Sequence, residues 1–259
     1  MDEENGSDLS ATEARSAALD YIGNIQRLLL DITTQEMDKI ETSAQLITKS
    51  LSSDGLVHIF GSGHSHLLAL ELFYRAGGML SVFPILDERL MLHDSAASST
   101  VYERSDEVLA EISAEIDFSS HDVLIVISNS GGNRVAIGVA EKAISDGIPV
   151  IVLTSMKHAG SPLARSRGRK LHEVADVVLD NMGVLGDASV RIAGTDITVG
   201  PTSTVLGATI LNAVMARVAQ LMSESSQRFD YFKSSNVAGG DEENAKLIEK
   251  YSSRVKGLV

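Results

Sequence analysis

The chain has 259 residues, the length of one large domain, and an apolar share of 44%, ample for a packed core. Its formal charge of −13 argues against a nucleic-acid partner, which would need a basic face. It has no cysteine, which excludes disulfides, thiolate chemistry and cysteine-based zinc sites.

Residues 1–10 are polar, acidic and glycine-containing, and are expected to form a disordered tail. No positive region followed by an apolar run opens the chain, so no secretory signal is expected and a cytoplasmic location follows. Residues 11–225 read as a single domain and 226–259 as a C-terminal extension. From Ala11 to Leu51, Ile22, Ile25, Leu28, Leu29 and Ile32 recur at helical spacing and predict one or two long helices. Asp54-Gly55 then leads into a strand at 56–60.

Further strand-like runs follow at 80–86, 122–128, 148–154 and 175–179. Helical segments are expected at 64–76, 105–117, 131–146 and 161–170. The middle strands are continuous apolar runs, the mark of strands buried on both faces of a parallel sheet. Pro84 suits an edge strand. An order 2-1-3-4-5 makes strands one and three neighbours and opens a crevice at their carboxyl ends. The connection 180–200 is polar and glycine-rich, with Asn181 and Asp187 as hydroxyl-binding candidates. The apolar stretch Thr204 to Met222 contains Asn212, Arg217 and Gln220 and reads as a buried amphipathic helix, not a membrane span.

Two loops carry the chemistry. Gly61-Ser62-Gly63-His64-Ser65 follows the first strand, and Ser128-Asn129-Ser130-Gly131-Gly132-Asn133 follows the third. Glycine lets a ligand approach the backbone, while serine hydroxyls and free N–H groups at a helix start favour phosphate. Ser62, Gly63, His64, Ser128, Asn129, Ser130 and Asn133 are therefore candidate contacts to a sugar phosphate. Neither loop has the Walker lysine or the third glycine of a dinucleotide loop.

This pattern, Gly-x-Gly-x-Ser after strand one and Ser-x-Ser-Gly after strand three, is similar to the sugar isomerase (SIS) domain family over roughly residues 30–225. Phosphoheptose isomerase and N-acetylmuramic acid 6-phosphate etherase belong to that family. Thr154-Ser155-Met156-Lys157-His158 and Lys233-Ser234-Ser235-Asn236 resemble segments of a SIS subfamily related to those two enzymes. The resemblance implies an α/β fold, a three-layer α/β/α sandwich of flavodoxin-like type with an N-terminal helical extension. It also implies that Thr202 and Ser203 close the site beside Ser62, Ser128 and Ser130. Relatives are dimers or tetramers, so a homodimer or homotetramer through 11–51 and 203–222 is expected.

An aldose–ketose isomerase working through an enediol needs a base for the proton alpha to the carbonyl. Glu103 borders the hydroxyl-rich run Ser98-Ser99-Thr100 and ranks first. Glu71, seven residues after His64, ranks second, and His93, beside Asp94, is a third candidate. His64 and His66 lack the spacing of a metal pair, so no metal or other cofactor is expected. The alternatives are a sugar-phosphate lyase or etherase, and a non-catalytic sugar-phosphate sensor.

Overall fold

The computed structural model describes residues 5–165 and 168–259. α1 (Asn5–Gln35) and α2 (Met37–Ser52) form the long helical lead. Residues 5–10, expected in a disordered tail, are helical within α1, and residues 1–4 lie outside the described residues. β1 (Val57–Gly61), α3 (His66–Leu72), β2 (Val82–Ile85), α4 (Leu92–Tyr102), α5 (Asp106–Glu115), β3 (Val123–Ile127) and α6 (Arg134–Ser145) follow. Next come β4 (Val150–Thr154), the single turn α7 (Met156–Ala159) and β5 (Val177–Asp180). A hairpin of β6 (Ala188–Arg191) and β7 (Thr198–Pro201) leads into α8 (Ser203–Glu224), and α9 (Gly240–Tyr251) lies near the end.

The five parallel strands stand in the order β2-β1-β3-β4-β5, as expected, with the proline-bearing β2 at an edge. Alternate residues serve opposite faces. Val57, Ile59, Val123, Ile125, Ile151 and Leu153 pack with α2, α3 and α8, while Phe60, Leu124, Val126, Val150 and Val152 pack with α5 and α6. Both faces are buried, which is why the strands read as unbroken apolar runs.

α8 has the length and apolarity of a membrane span, but its buried residues recur at helical spacing from Leu206 through Ile210, Leu211 and Val214 to Val218. That stripe packs on the sheet. Arg217 clamps α8 to α2 through a forked pair with Glu41, at 2.6 and 3.2 Å. A third apolar cluster, Leu56, Leu80, Phe232, Val255 and Leu258, seats the residues after 226 against the body.

Two local expectations are corrected, and two elements unread in the sequence are added. Among the described residues, 161–165 and 168–170 are turns and irregular chain, not helix; 166 and 167 lie outside them. Pro162, Gly168 and the like charges Arg165 and Arg169, four apart, all oppose a helix. α3 stops at Leu72, short of 76, because Tyr74 takes φ +48° and Gly77 φ +80°. The Ser/Thr-rich run at 98–100 is helical in α4, which bends at Ser95. The 180–200 connection contains the β6–β7 hairpin.

Candidate phosphate-binding crevice

The register pairs Gly61 with Ile127 across β1 and β3, so the two glycine-bearing loops begin side by side. Gly61 turns so tightly that a Cβ there would sit 2.5 Å from the Ser65 carbonyl oxygen. Gly131 holds φ +63°, which returns the second loop into α6. The Ser128 hydroxyl is buried and accepts from Gly131 N–H at 3.2 Å, so it shapes the loop from within. Asn129 Oδ1 accepts from Asn181 Nδ2 at 2.9 Å, tying this loop to the end of β5.

A third segment joins these loops. Asp187, in a left-handed conformation at φ +64°, turns its carboxylate onto the start of α8. It accepts from the N–H of Thr202 at 3.0 Å and of Ser203 at 2.8 Å. It also takes the hydroxyls of Thr202 at 3.0 Å and Ser203 at 2.6 Å. Asp187 therefore caps a helix in place of binding hydroxyls of a ligand directly. The crevice between the three segments is lined by His64, Leu68, Ile127, Asn129, Asn181 and Ser203, and its free volume is about 10 Å³, room for one water.

Glu103 lies at the end of α4 with its side chain 14% exposed. Its Oε2 accepts from Ser62 Oγ at 2.9 Å, and its carbonyl accepts from Val135 N–H of α6 at 3.1 Å. The first loop and the first turn of α6 thus meet at it, just outside the crevice lining. Burial pushes its carboxyl above the ordinary carboxylate range, against the opposing pull of the Ser62 hydrogen bond and of Arg104.

The other candidates are placed differently. Glu71 pairs with Arg75 and accepts from Asn212 of α8 at 2.9 Å, outside the crevice lining. His93 is exposed on α4, its ring 6.5 Å from that of His66. Thr202 is fully buried with its hydroxyl committed to Asp187. Ser130 and Gly63 are half-buried and His64 is exposed beside the crevice. Asn133 lines a separate cleft with Gly132 and four arginines. Sequence reasoning missed that cleft because it assigned residues 161–170 to a helix; the Arg165-x-Arg167-x-Arg169 repeat was the available signal. Among the described residues no group of three His, Asp or Glu side chains is placed to hold a metal ion.

The SIS domain family model matches residues 20–155. The UPF0309 protein lin2794 of Listeria innocua is 43% identical over 236 residues, covering 91% of this chain and 96% of that protein. Among solved structures, a phosphoheptose isomerase from Francisella tularensis superposes with a TM-score of 0.52 at 18% identity, over 78% of this chain and 96% of that one. The phosphoheptose isomerase from Neisseria gonorrhoeae does so with a TM-score of 0.50 at 16% identity, over 81% and 99%. At these identities the structural likeness carries the fold.

Proposed function

This chain belongs to the SIS domain family and to the UPF0309 proteins, and on that footing we propose that it binds a phosphorylated sugar and interconverts its aldose and ketose forms. The observation that carries the reading is the link from Glu103 to Ser62 at 2.9 Å, which holds a carboxylate of raised proton affinity against the first serine loop. Ser130 and the free N–H groups of the first turn of α6 hold the phosphate. The sugar lies over the loops, since the crevice between them is nearly filled. Glu103 removes the C2 proton of the aldose, leaving an enediolate; the C2 hydroxyl proton passes to the C1 oxygen, and Glu103 returns its proton to C1, giving the ketose. A base works best when its pKa approaches the working pH, and burial moves Glu103 in that direction. The two structural neighbours named above are phosphoheptose isomerases, which agrees with a phosphorylated sugar as ligand.

The test is deuterium exchange at C2, followed by NMR across hexose, heptose and amino-sugar phosphates. Exchange with aldose–ketose interconversion is expected. An eliminated product would replace isomerisation by the lyase reading. Binding without exchange for every sugar would leave a sensor. Ser130→Ala is expected to weaken binding about tenfold in calorimetry, the loss of one hydrogen bond to a charged group. Unchanged affinity would remove the phosphate from this loop.

The chain further reads as a homo-oligomer, a dimer or tetramer. Leu19, Ile22 and Leu30 of α1 and Val205 of α8 are exposed apolar side chains on the two helical segments that carry this expectation. Light scattering at micromolar concentration is expected to give at least twice the monomer mass; a stable monomer would refute the assembly.

A further inference from the structure

Beside the crevice lies an open cleft of about 550 Å³ that shares Gly132 and Asn133 with the second loop. Its walls carry four arginines from three parts of the chain. Arg104 follows Glu103, Arg134 opens α6, and Arg165 and Arg169 come from the segment between α7 and β5. Glu141 is the carboxylate among the lining residues.

These guanidinium groups differ in how they are neutralised. Arg134 is held by Asp106 at 2.6 Å and lies 3.6 Å from Glu141. Arg104 stands 3.9 Å from Glu103, too far for a hydrogen bond. Arg165 and Arg169 are exposed and have no carboxylate partner among the described residues. In a chain with 35 acidic and 22 basic residues, acidic partners are plentiful, so two unpaired arginines facing one cleft call for another counter-charge.

The chemistry of the walls narrows what that is. Guanidinium forks match phosphate and carboxylate oxygens in a bidentate manner. Among the described residues no aromatic side chain lines the cleft, so a nucleobase would have no stacking platform there. Gly132 follows Ser130 by two residues, a chain distance of at most ~7 Å, comparable with the carbon backbone of a hexose.

We infer that this cleft is a second phosphate site, contiguous with the serine loop, and that the chain's ligand is a sugar carrying two phosphate groups. The inference rests on the proposed function for the first phosphate; the arginines hold the second.

The experiment is calorimetry on the full chain with glucose 6-phosphate and fructose 6-phosphate, and with the 1,6-bisphosphates of both sugars. Wild type is expected to bind at least one bisphosphate about tenfold or more tightly than its monophosphate. The double variant Arg165→Ala/Arg169→Ala should abolish that preference while keeping monophosphate affinity within about twofold. Both side chains are exposed, so the fold should survive, and circular dichroism checks it. Arg165→Lys/Arg169→Lys should recover part of the preference, because charge remains and the fork is lost. Two results would overturn the inference alone: no bisphosphate preference in wild type, or a preference that the double alanine variant retains, each with Ser130→Ala still weakening the monophosphate. If Ser130→Ala affects no ligand, the loop assignment fails and the bridging ligand falls with it.

Discussion

Glu103→Gln is expected to slow C2-proton exchange by about 10²–10⁴-fold, with sugar-phosphate affinity nearly unchanged, because it removes the proposed base and spares the proposed phosphate loop. The amide can still accept the Ser62 hydroxyl, so the local geometry has a substitute partner. The same change should act on stability with the opposite sign. The folded-state pKa of Glu103 lies above its ordinary value, so the folded protein holds this proton more tightly than the unfolded chain. Ionisation therefore costs stability, a cost absent below the ordinary glutamate pKa and complete above the raised one. Glu103→Gln should accordingly melt higher than wild type at neutral pH, with the gap closing in acid. Wild-type exchange should itself fall as pH drops through the raised pKa, as the carboxylate is protonated. Exchange at full speed in Glu103→Gln would pass the role to Glu71, tested as Glu71→Gln, and after it to His93.

Asp122→Ala should cost about 3–5 kcal/mol in urea denaturation at neutral pH, the scale of breaking a buried pair by removing one partner. Asp122 is 3% exposed and accepts three hydrogen bonds. They come from Leu56 N–H at 2.8 Å, Ser119 N–H at 2.8 Å and His58 Nε2 at 2.9 Å. His58 is 3% exposed and packed against Phe83 and Phe118, at 4.8 and 4.9 Å between ring centres, so removing Asp122 leaves its Nε2 without its protein partner. Burial pushes the Asp122 carboxyl up, but the hydrogen bonds from His58, Leu56 and Ser119 outweigh it and hold it below the ordinary value. A lowered folded pKa stabilises above the unfolded aspartate pKa, and that contribution is lost as pH falls through the folded one. The gap between wild type and variant should narrow correspondingly in strong acid. A loss under about 1 kcal/mol at neutral pH would show that the pair is dispensable.

Five strands and the two loops were legible from residues alone because each signal is local, whereas the strand order was a supposition about the doubly wound pattern. A strand covered on both faces needs an apolar residue at every position, and Val123-Leu124-Ile125-Val126-Ile127 shows that directly. Gly61 and Gly131 mark turns that side chains would obstruct or strain. Pro84 declares an edge, since it cannot donate to a second neighbour. The elements that went unread have weaker local signals. α4 is rich in serine and threonine, and its Ser99 hydroxyl is satisfied by the Leu90 carbonyl at 2.9 Å, which no local pattern announces.

The contacts that make the site cohere were out of reach for a different reason. Ser62 and Glu103 are 41 positions apart, and their hydrogen bond exists because α4 folds back over the end of β1. Asp187 reaches the start of α8 only after the β6–β7 hairpin reverses the chain. The four arginines of the cleft come from separate segments, and the pair at 165 and 169 faces it because the chain there is irregular. Backbone conformation responds to side chains a few residues away, so composition and spacing encode strands and turns. Proton affinity, capping and charge clusters respond to whatever stands within a few ångströms, and in this molecule those neighbours arrive from distant parts of the chain.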